Sequence, residues 1–424
     1  MNIRRFFRFP LLFSLLAVLA GSLNAQVIAI KAGNLVDPDA GTAASNQIIL
    51  VEGSTIKAVG SNVAIPAGAK VFDLSSMTVL PGLTDSHTHM LLTFHPDIDG
   101  TYFITTVGYT TAYRAIEGVA NARSMLESGF TSIRDVGNNG LYGDTDLRKA
   151  IDAGLVPGPT MVNACRIIAP YGGQFQLQPE RPELAVPEYA VADTRDELRK
   201  AIRENIHYGA KLIKIVVDDQ QYIYSVDDIR YIVEEAGAAG LKVAAHTVTE
   251  AGFHNAAEGG VASIEHGFRC TDADLELIKK KNIVLVGTDL TEQSAKMWGA
   301  FDDVKAIRRI ILDRTRRAYK IGVKMAYGSD MFFTDPKLSR GQLSLTFLDS
   351  YVEAGLPAPY ILKMITVNGT RLLGLDKERG FIKPGFAADI IATPGNPLDD
   401  IMALKHVSFV MKNGAVFKST AASR

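Results

Sequence analysis

The sequence predicts an α/β protein: a (β/α)8 TIM barrel carrying a small β-sandwich domain built from both chain ends. Three observations carry this. Between about residues 81 and 378, short apolar runs alternate with helix-like stretches. A strand-like texture fills residues 27–80 and returns after residue 380. Ionisable residues fall at the C-terminal ends of the apolar runs, which is the face where a barrel of this kind holds its active site. A doubly wound sheet shares the alternation, and the placement of the polar residues decides for the barrel.

Each segment is justified in turn. In residues 1–25, Arg4, Arg5 and Arg8 precede "PLLFSLLAVLAG", and "SLNA" ends in a small residue. That is the pattern of a signal peptide cleaved after Ala25. The expected consequence is export, periplasmic or secreted, by the Sec route more than the Tat route that "RRFFR" loosely resembles. No later run reaches ~18 apolar residues, so no membrane is expected for the mature form. Residues 26–80 form the first part of the small β domain: "VIAIKAGNLVD", "QIILVEGSTIKAVG" and "KVFDLSSMTVL" alternate apolar and polar residues between turn signals. Residues 81–378 supply eight strand candidates, namely "GLTDSHTH", "TSIRDVG", "TMVNAC", "LIKIVVD", "KVAAHT", "ASIEHGF", "IVLVGTD" and "KMAYGSD". Amphipathic stretches such as "TRDELRKAIRENIHYGA" lie between them, ending near Gly or Asn as helices do. Residues 379–424 return to strands and complete the β domain.

Composition excludes some functions. The chain is 47% hydrophobic and 21% charged, so a packed core is expected. A net charge of -1 supplies no basic face for nucleic acid. Two cysteines, Cys165 and Cys270, are too few for a disulfide framework and read as buried free thiols.

The chemistry starts at "GLTDSHTHM". Only eight histidines occur in the chain, and His87 and His89 stand one residue apart. On a strand, positions i and i+2 point the same way, so both imidazoles aim together into the barrel. Burying them side by side is costly unless they are paired or ligated. A divalent metal resolves that cost. His246, His266 and Asp330 end three further strands, and Lys214 lies within a fourth, so six polar groups converge on one mouth. Lys211 and Lys214 face opposite ways, and Lys211, at the edge of its run, reads as a solvated charge.

"PGLTDSHTHM", "LIKIVVD", "AAHTVT", "SIEHGF" and "AYGSD" resemble the metal-binding strand motifs of the amidohydrolase superfamily. "TVNGTRLLGLDKERGFIKPGFAADIIATPGNPLDDI" is similar to the segment that closes its barrel and enters the small domain. The nearest resemblance is to the imidazolonepropionase-like and prolidase-like group, with its Xaa-Pro dipeptidases, Xaa-Arg/Lys carboxypeptidases and ochratoxin-degrading amidases. The resemblance implies two divalent metal ions, Zn first among Zn, Mn, Co and Ni. His87, His89 and Asp330 would hold the more buried ion, and His246 and His266 the more exposed one. Lys214, carboxylated by CO2, would bridge them. Asp330 would act as general base and acid toward a metal-bridging hydroxide. The implied reaction hydrolyses an amide or peptide bond and releases a C-terminal amino acid from a dipeptide, an N-acyl amino acid or ochratoxin A. The alternative is a cyclic-amide hydrolase of imidazolonepropionase type. A binding protein on a relic barrel would have lost ligands, and all six are present. Barrels of this kind commonly associate, which leaves room for a homo-oligomer.

Substrate contacts are expected from the loops. Tyr224 is the first candidate, as a donor to a carboxylate or oxyanion. Arg134, His95 and Gln174 follow, with Arg340 weaker. Gln174 stands where related enzymes often carry a histidine in a "TGGHG"-like stretch, and glutamine cannot take a charge. Glu265 is expected to face the helix layer, away from His266. His207, His254 and His406 read as ordinary helix or small-domain residues. Tyr171, Phe175, Tyr189, Trp298 and Phe301, in two long loops, predict an aromatic-lined pocket.

Overall fold

A computed structural model describes residues 26–174, 179–299 and 301–420. The expected signal peptide and Phe175 lie outside the described residues. Among the described residues no helix is long and apolar enough to cross a membrane.

The N-terminal segment forms β1 (Val27–Asp37), β2 (Thr42–Glu52), β3 (Thr55–Gly60) and β4 (Lys70–Pro81). Next come the buried strands β5 (Leu83–Thr88), β6 (Phe130–Asp135), β7 (Thr160–Asn163), β8 (Ile167–Ala169) and β9 (Tyr189–Val191). They are followed by β10 (Ile213–Val216), β11 (Val243–Thr247), β12 (Ser263–His266) and β13 (Val284–Val286). The chain returns to the first sheet with β14 (Ile390–Thr393), β15 (Phe409–Lys412) and β16 (Ala415–Ser419).

The two chain ends build one sheet of seven strands, in the order β16-β15-β14-β4-β1-β2-β3. The sandwich expectation needs correction, because this is a single curled sheet. Its β3 edge comes round to bond residues 385–388, with the Ile56 N–H donating to the Phe386 carbonyl at 2.9 Å and the Ala388 N–H to the Ser54 carbonyl at 2.8 Å. β4 bulges opposite Gly33, with residues 75–77 inserted between the Ala32–Leu74 and Asn34–Thr78 pairs. At that bulge a Cβ on Gly33 would lie 2.3 Å from the Ser75 carbonyl oxygen, so only glycine fits. The concave side buries Ile30, Ile49, Ile56, Phe72, Leu74, Ile390 and Phe409, as the period-2 pattern predicts.

The middle of the chain forms two parallel sheets: β5-β6-β7, and β13-β12-β11-β10-β8-β9. Seven of the eight expected strands form. The eighth, "KMAYGSD", makes only an isolated bridge, Met325 to Leu285. It nevertheless lies between the two sheets. Ala326 N–H donates to the Leu285 carbonyl at 3.0 Å, while Ser86 N–H donates to Tyr327 and Asp330 N–H to His87, each at 2.8 Å. At the other junction, Lys211 N–H donates to the Asn163 carbonyl at 2.7 Å. Strands β8 and β9 were not expected. They arise because Cys165, at φ 65°, turns the chain out of its third run and restarts it as β8.

Helices cover the sheets where the amphipathic pattern puts them. Arg195–His207, Val226–Gly237 and Asp272–Lys280 each begin with a capping box, from Thr194, Ser225 and Thr271 respectively. Their apolar stripes, such as Leu198, Ala201 and Ile202, turn inward.

The eighth segment presses so closely on its neighbours that a Cβ at Gly328 would stand 2.5 Å from Val286 Cγ1 and 2.7 Å from the His87 Cβ. Gly328→Ala is expected to destabilise the fold by about 1–3 kcal/mol. Equilibrium denaturant unfolding checks this; an unchanged midpoint would mean that the segment can yield.

Candidate metal centre

β5 places His87 and His89 on one face, both buried. Asp330 meets them from the eighth segment. Its Oδ1 lies 3.2 Å from His89 Nε2 and 3.7 Å from His87 Nε2, and the three offer ligand atoms within 4.8 Å of one another. Donors sharing one ion at ~2.0–2.2 Å stand about 3–3.5 Å apart, so this trio is spaced for a metal. His246 and His266 lie edge to face with ring centroids 4.4 Å apart, and His266 is 5.0 Å from His87. Lys214, 2% exposed, lies in the same pocket. The six residues singled out in the sequence thus line one pocket, with Asn138, Gln174, Tyr189, Trp298 and Phe332 beside them.

Left-handed backbone at the strand ends aims some of these groups. His266 sits at φ 63° and Asp330 at φ 52°. Non-glycine residues rarely adopt this region, and where they do it tends to mark a functional site.

Three imidazoles are oriented through Nδ1. His87 Nδ1 is 2.8 Å from Glu265 Oε2, His89 Nδ1 is 2.7 Å from the Gly137 carbonyl, and His266 Nδ1 is 2.7 Å from Thr288 Oγ1. The partners of His87 and His89 are pure acceptors, so Nδ1 carries the proton and Nε2 is left as the free donor of electrons, as in metal sites. His246 Nε2 is buried with no hydrogen-bond partner. This orphan, the spacing of the first trio and the N/O donor set fit divalent metal ions.

Electrostatics agree at His87 and His266, whereas at His89 burial, which lowers the pKa, is outweighed by the Asp330 carboxylate, which raises it. Burial, with Lys214 nearby, pushes His87 down to about 4, which keeps the imidazole neutral as a ligand must be. His266 is likewise held well below the usual imidazole value by burial and by His246. Burial brings Lys214 down to about 8, so an appreciable share of the amine is neutral near pH 7–8. For Glu265, burial alone would favour protonation, but Arg134 and His87 outweigh it and the carboxylate stays ionised.

Several expected residues lie elsewhere. Tyr224 is 1% exposed and its hydroxyl donates to the Ala192 carbonyl at 2.7 Å, so it is spent on packing. Arg134 is also buried. It donates to both Glu265 oxygens at 2.7 and 2.8 Å, to Ser263 Oγ at 2.8 Å and to the Ser86 carbonyl at 2.5 Å. Its partner is therefore Glu265 and not a substrate. The expectation that Glu265 faces the helix layer is corrected by the same contacts. Strand alternation fails at His266, whose left-handed turn lets neighbours 265 and 266 both reach inward. His95 pairs with Glu117 at 3.1 Å, outside the pocket. Arg340 is buried against the carbonyls of Met331 and Leu92. Lys211 is exposed, and both cysteines are buried and free. Of the loop aromatics, Tyr189 and Trp298 line the pocket, Phe301 packs on Trp298, and Tyr171 is 72% exposed.

Sequence reasoning missed Asp219, whose Oδ2 lies 2.9 Å from His246 Nε2 and accepts from Gln174 Nε2 at 2.6 Å. It also missed Asn138, buried at φ 58° in the pocket wall with its Nδ2 unpartnered. The "DD" after "IKIVV" and the "NN" after "IRDVG", both at strand ends, were the available signals.

Comparison with known proteins accords with this geometry. The family model described as the amidohydrolase family matches residues 78–417. The ochratoxinase of Aspergillus niger is 29% identical, over 95% of this chain and 88% of its own length. The imidazolonepropionase of Deinococcus deserti is 25% identical, over 83% and 86%. Among solved structures, a Xaa-Pro dipeptidase with methionine bound in its active site superposes with a TM-score of 0.83 at 26% identity, over 93% of this chain and all of that one. The A. niger ochratoxinase structure gives 0.80 at 25% identity, over 93% and 96%.

Glu265→Gln is expected to weaken metal binding about 10–100-fold, because His87 loses the carboxylate that orients it. The orphaned guanidinium of Arg134 would also lower stability by about 3–5 kcal/mol. Chelator competition and denaturant unfolding read the two effects separately.

Proposed function

This chain belongs to the amidohydrolase family, a family of metal-dependent hydrolases, and from that premise we propose that it cleaves an amide or peptide bond to release a C-terminal amino acid. Dipeptides, N-acyl amino acids and ochratoxin A are the proposed substrate class. One observation carries the reading: His87, His89, Lys214, His246, His266 and Asp330 line a single pocket that Trp298 and Phe332 wall with aromatic surface. The names of the ochratoxinase and dipeptidase relatives support the substrate class.

His87, His89 and Asp330 would hold one divalent ion, Zn first, and His246 and His266 the second. When bound, such ions lower the pKa of water and polarise a carbonyl. The remaining work falls to the chain. Asp330 is placed to take a proton from the attacking water and return it to the leaving nitrogen. Glu265 fixes the tautomer of His87. Asn138, whose Nδ2 is buried without a partner, stands in the wall of the same pocket. Lys214, with its amine near pKa 8, would take up CO2: as its nitrogen forms the N–C bond, one C=O π bond opens onto oxygen and the amine loses a proton, giving a carbamate whose oxygens would serve as further ligands.

The same reading takes the two parallel sheets and the segment 324–330 as one closed barrel over 81–378, with 26–80 and 379–424 as the small β domain. Export of the mature chain belongs to the proposal too, as does room for a homo-oligomer. A second reading, hydrolysis of a cyclic amide, is favoured by the imidazolonepropionase relative.

Two outcomes are expected. Asp330→Asn retains most of its metal yet loses turnover by a factor of about 10²–10⁴; wild-type turnover in that variant would remove the general-base role. The Zn-loaded chain, incubated with dipeptides, N-acyl amino acids, ochratoxin A and cyclic amides, releases a free amino acid that mass spectrometry detects and that chelator abolishes. Cleavage of cyclic amides alone would give the second reading the place of the first.

A further inference from the structure

We propose that Asp219 is a further protein ligand of the outer metal ion, beside His246; this deepens the reading above and rests on it. The starting point is His246, 7% exposed, whose Nε2 finds no hydrogen-bond partner. The nearest carboxylate oxygen, Asp219 Oδ2, is 2.9 Å away but off the geometry of a hydrogen bond. That separation suits two donors converging on one ion, since ligands at ~2.0–2.2 Å stand about 3 Å apart when their bonds meet at a right angle.

The surroundings hold Asp219 as a ligand carboxylate is held. Gln174 Nε2 donates to Oδ2 at 2.6 Å, and Gln174 is itself oriented by the Tyr189 hydroxyl, which donates to its Oε1 at 2.9 Å. Such supporting donors are typical of metal-binding carboxylates. Asp218 is not a rival ligand, although it lies in the same group of candidate metal-binding side chains. Its Oδ1 accepts from the Val248 N–H, and its Oδ2 from the Thr249 N–H and hydroxyl. Those bonds tie the loop after β10 to the residues just beyond β11, the strand that carries His246. The close approach depends on Gly252, where a Cβ would fall 2.0 Å from Asp218 Oδ2. The paired aspartates therefore divide the work: the first fixes the loop, and the second faces the imidazole. With its side chain 25% exposed, Asp219 sits at the solvent side of the site, where the outer ion would be. A permanent carboxylate there would anchor that ion without CO2, so its binding would tolerate loss of the Lys214 carbamate.

Metal titration of the metal-free full chain tests this. Zn binding is followed by chelator competition, and Co(II) loading by its visible spectrum. Asp219→Asn is expected to raise the dissociation constant of the weaker-bound ion at least about tenfold, to leave the tighter ion within about twofold, and to change the spectrum of the second Co(II) only. Gln174→Met, which removes the supporting donor together with the acceptor of the Tyr189 hydroxyl but keeps the Asp219 carboxylate, should weaken the same ion by less; it carries the test if Asp219→Asn does not fold. If the wild-type chain binds two ions and both variants bind them with wild-type affinity and spectrum, this inference fails while the metal-dependent reading stands. Equal weakening of both ions would also overturn it. A wild-type chain that takes up no second ion would overturn both.

Discussion

The buried ion pair between Arg134 and Glu265 is the contact on which the site depends. Arg134 stands on β6, in the three-stranded sheet, and Glu265 on β12, in the six-stranded one. The same guanidinium reaches the Ser86 carbonyl on β5. One side chain thus joins three strands across two sheets, and its carboxylate partner meets His87 of the candidate metal centre. Neither charge could lie in this interior alone, because the desolvation of each is repaid only by the other and by the hydrogen bonds around it. Glu265 then spends its remaining capacity on His87. Stability and ligand orientation are carried by a single carboxylate.

How much of this was legible depends on the range of the cause. The six residues that line the pocket were readable because each sits in a short local pattern. His87 and His89 share a face by strand periodicity, and the others end apolar runs. The curled β sheet was readable as texture at both ends, though not as one sheet, since the bulge opposite Gly33 is set by contact with Ser75. Glu265 was assigned to the wrong face because periodicity assumes extended backbone, and His266 is left-handed. Tyr224 and Arg134 were credited to the substrate for a related reason. Their partners, Ala192 and Glu265, are distant in sequence, and no local pattern reveals them. The eighth segment had the composition of a strand but bonds its neighbours too sparsely to form one.

Left-handed residues recur where the parallel strands run out. Cys165, His266, Thr288 and Asp330 all have positive φ without being glycine. Each ends or leaves a run that regular geometry would carry onward. His266 and Asp330 line the pocket, and at Thr288 the turn presents the hydroxyl that meets His266. Backbone of this kind is costly and persists only when surrounding structure over-determines it. Here the surrounding structure is the packed interior and the bonds between segments, such as that from Asp330 N–H to the His87 carbonyl.

The curled sheet has a consequence for the order in which the molecule can be finished. Pro81, just before β5, pairs with Ile390 on β14, and β15 and β16 extend the sheet from there. The central strands of that sheet meet only after nearly the whole chain has been made. Closing so large a loop is slow because its entropy must be spent before any contact rewards it. The first strands out of the ribosome therefore wait, with both the β4 and β3 edges unpaired, for the last residues. During that wait β4 presents a row of open backbone groups, and an unpaired edge of this kind is a ready template for joining another chain. The interval before the C-terminal strands dock is the moment of greatest exposure to aggregation in the life of this protein.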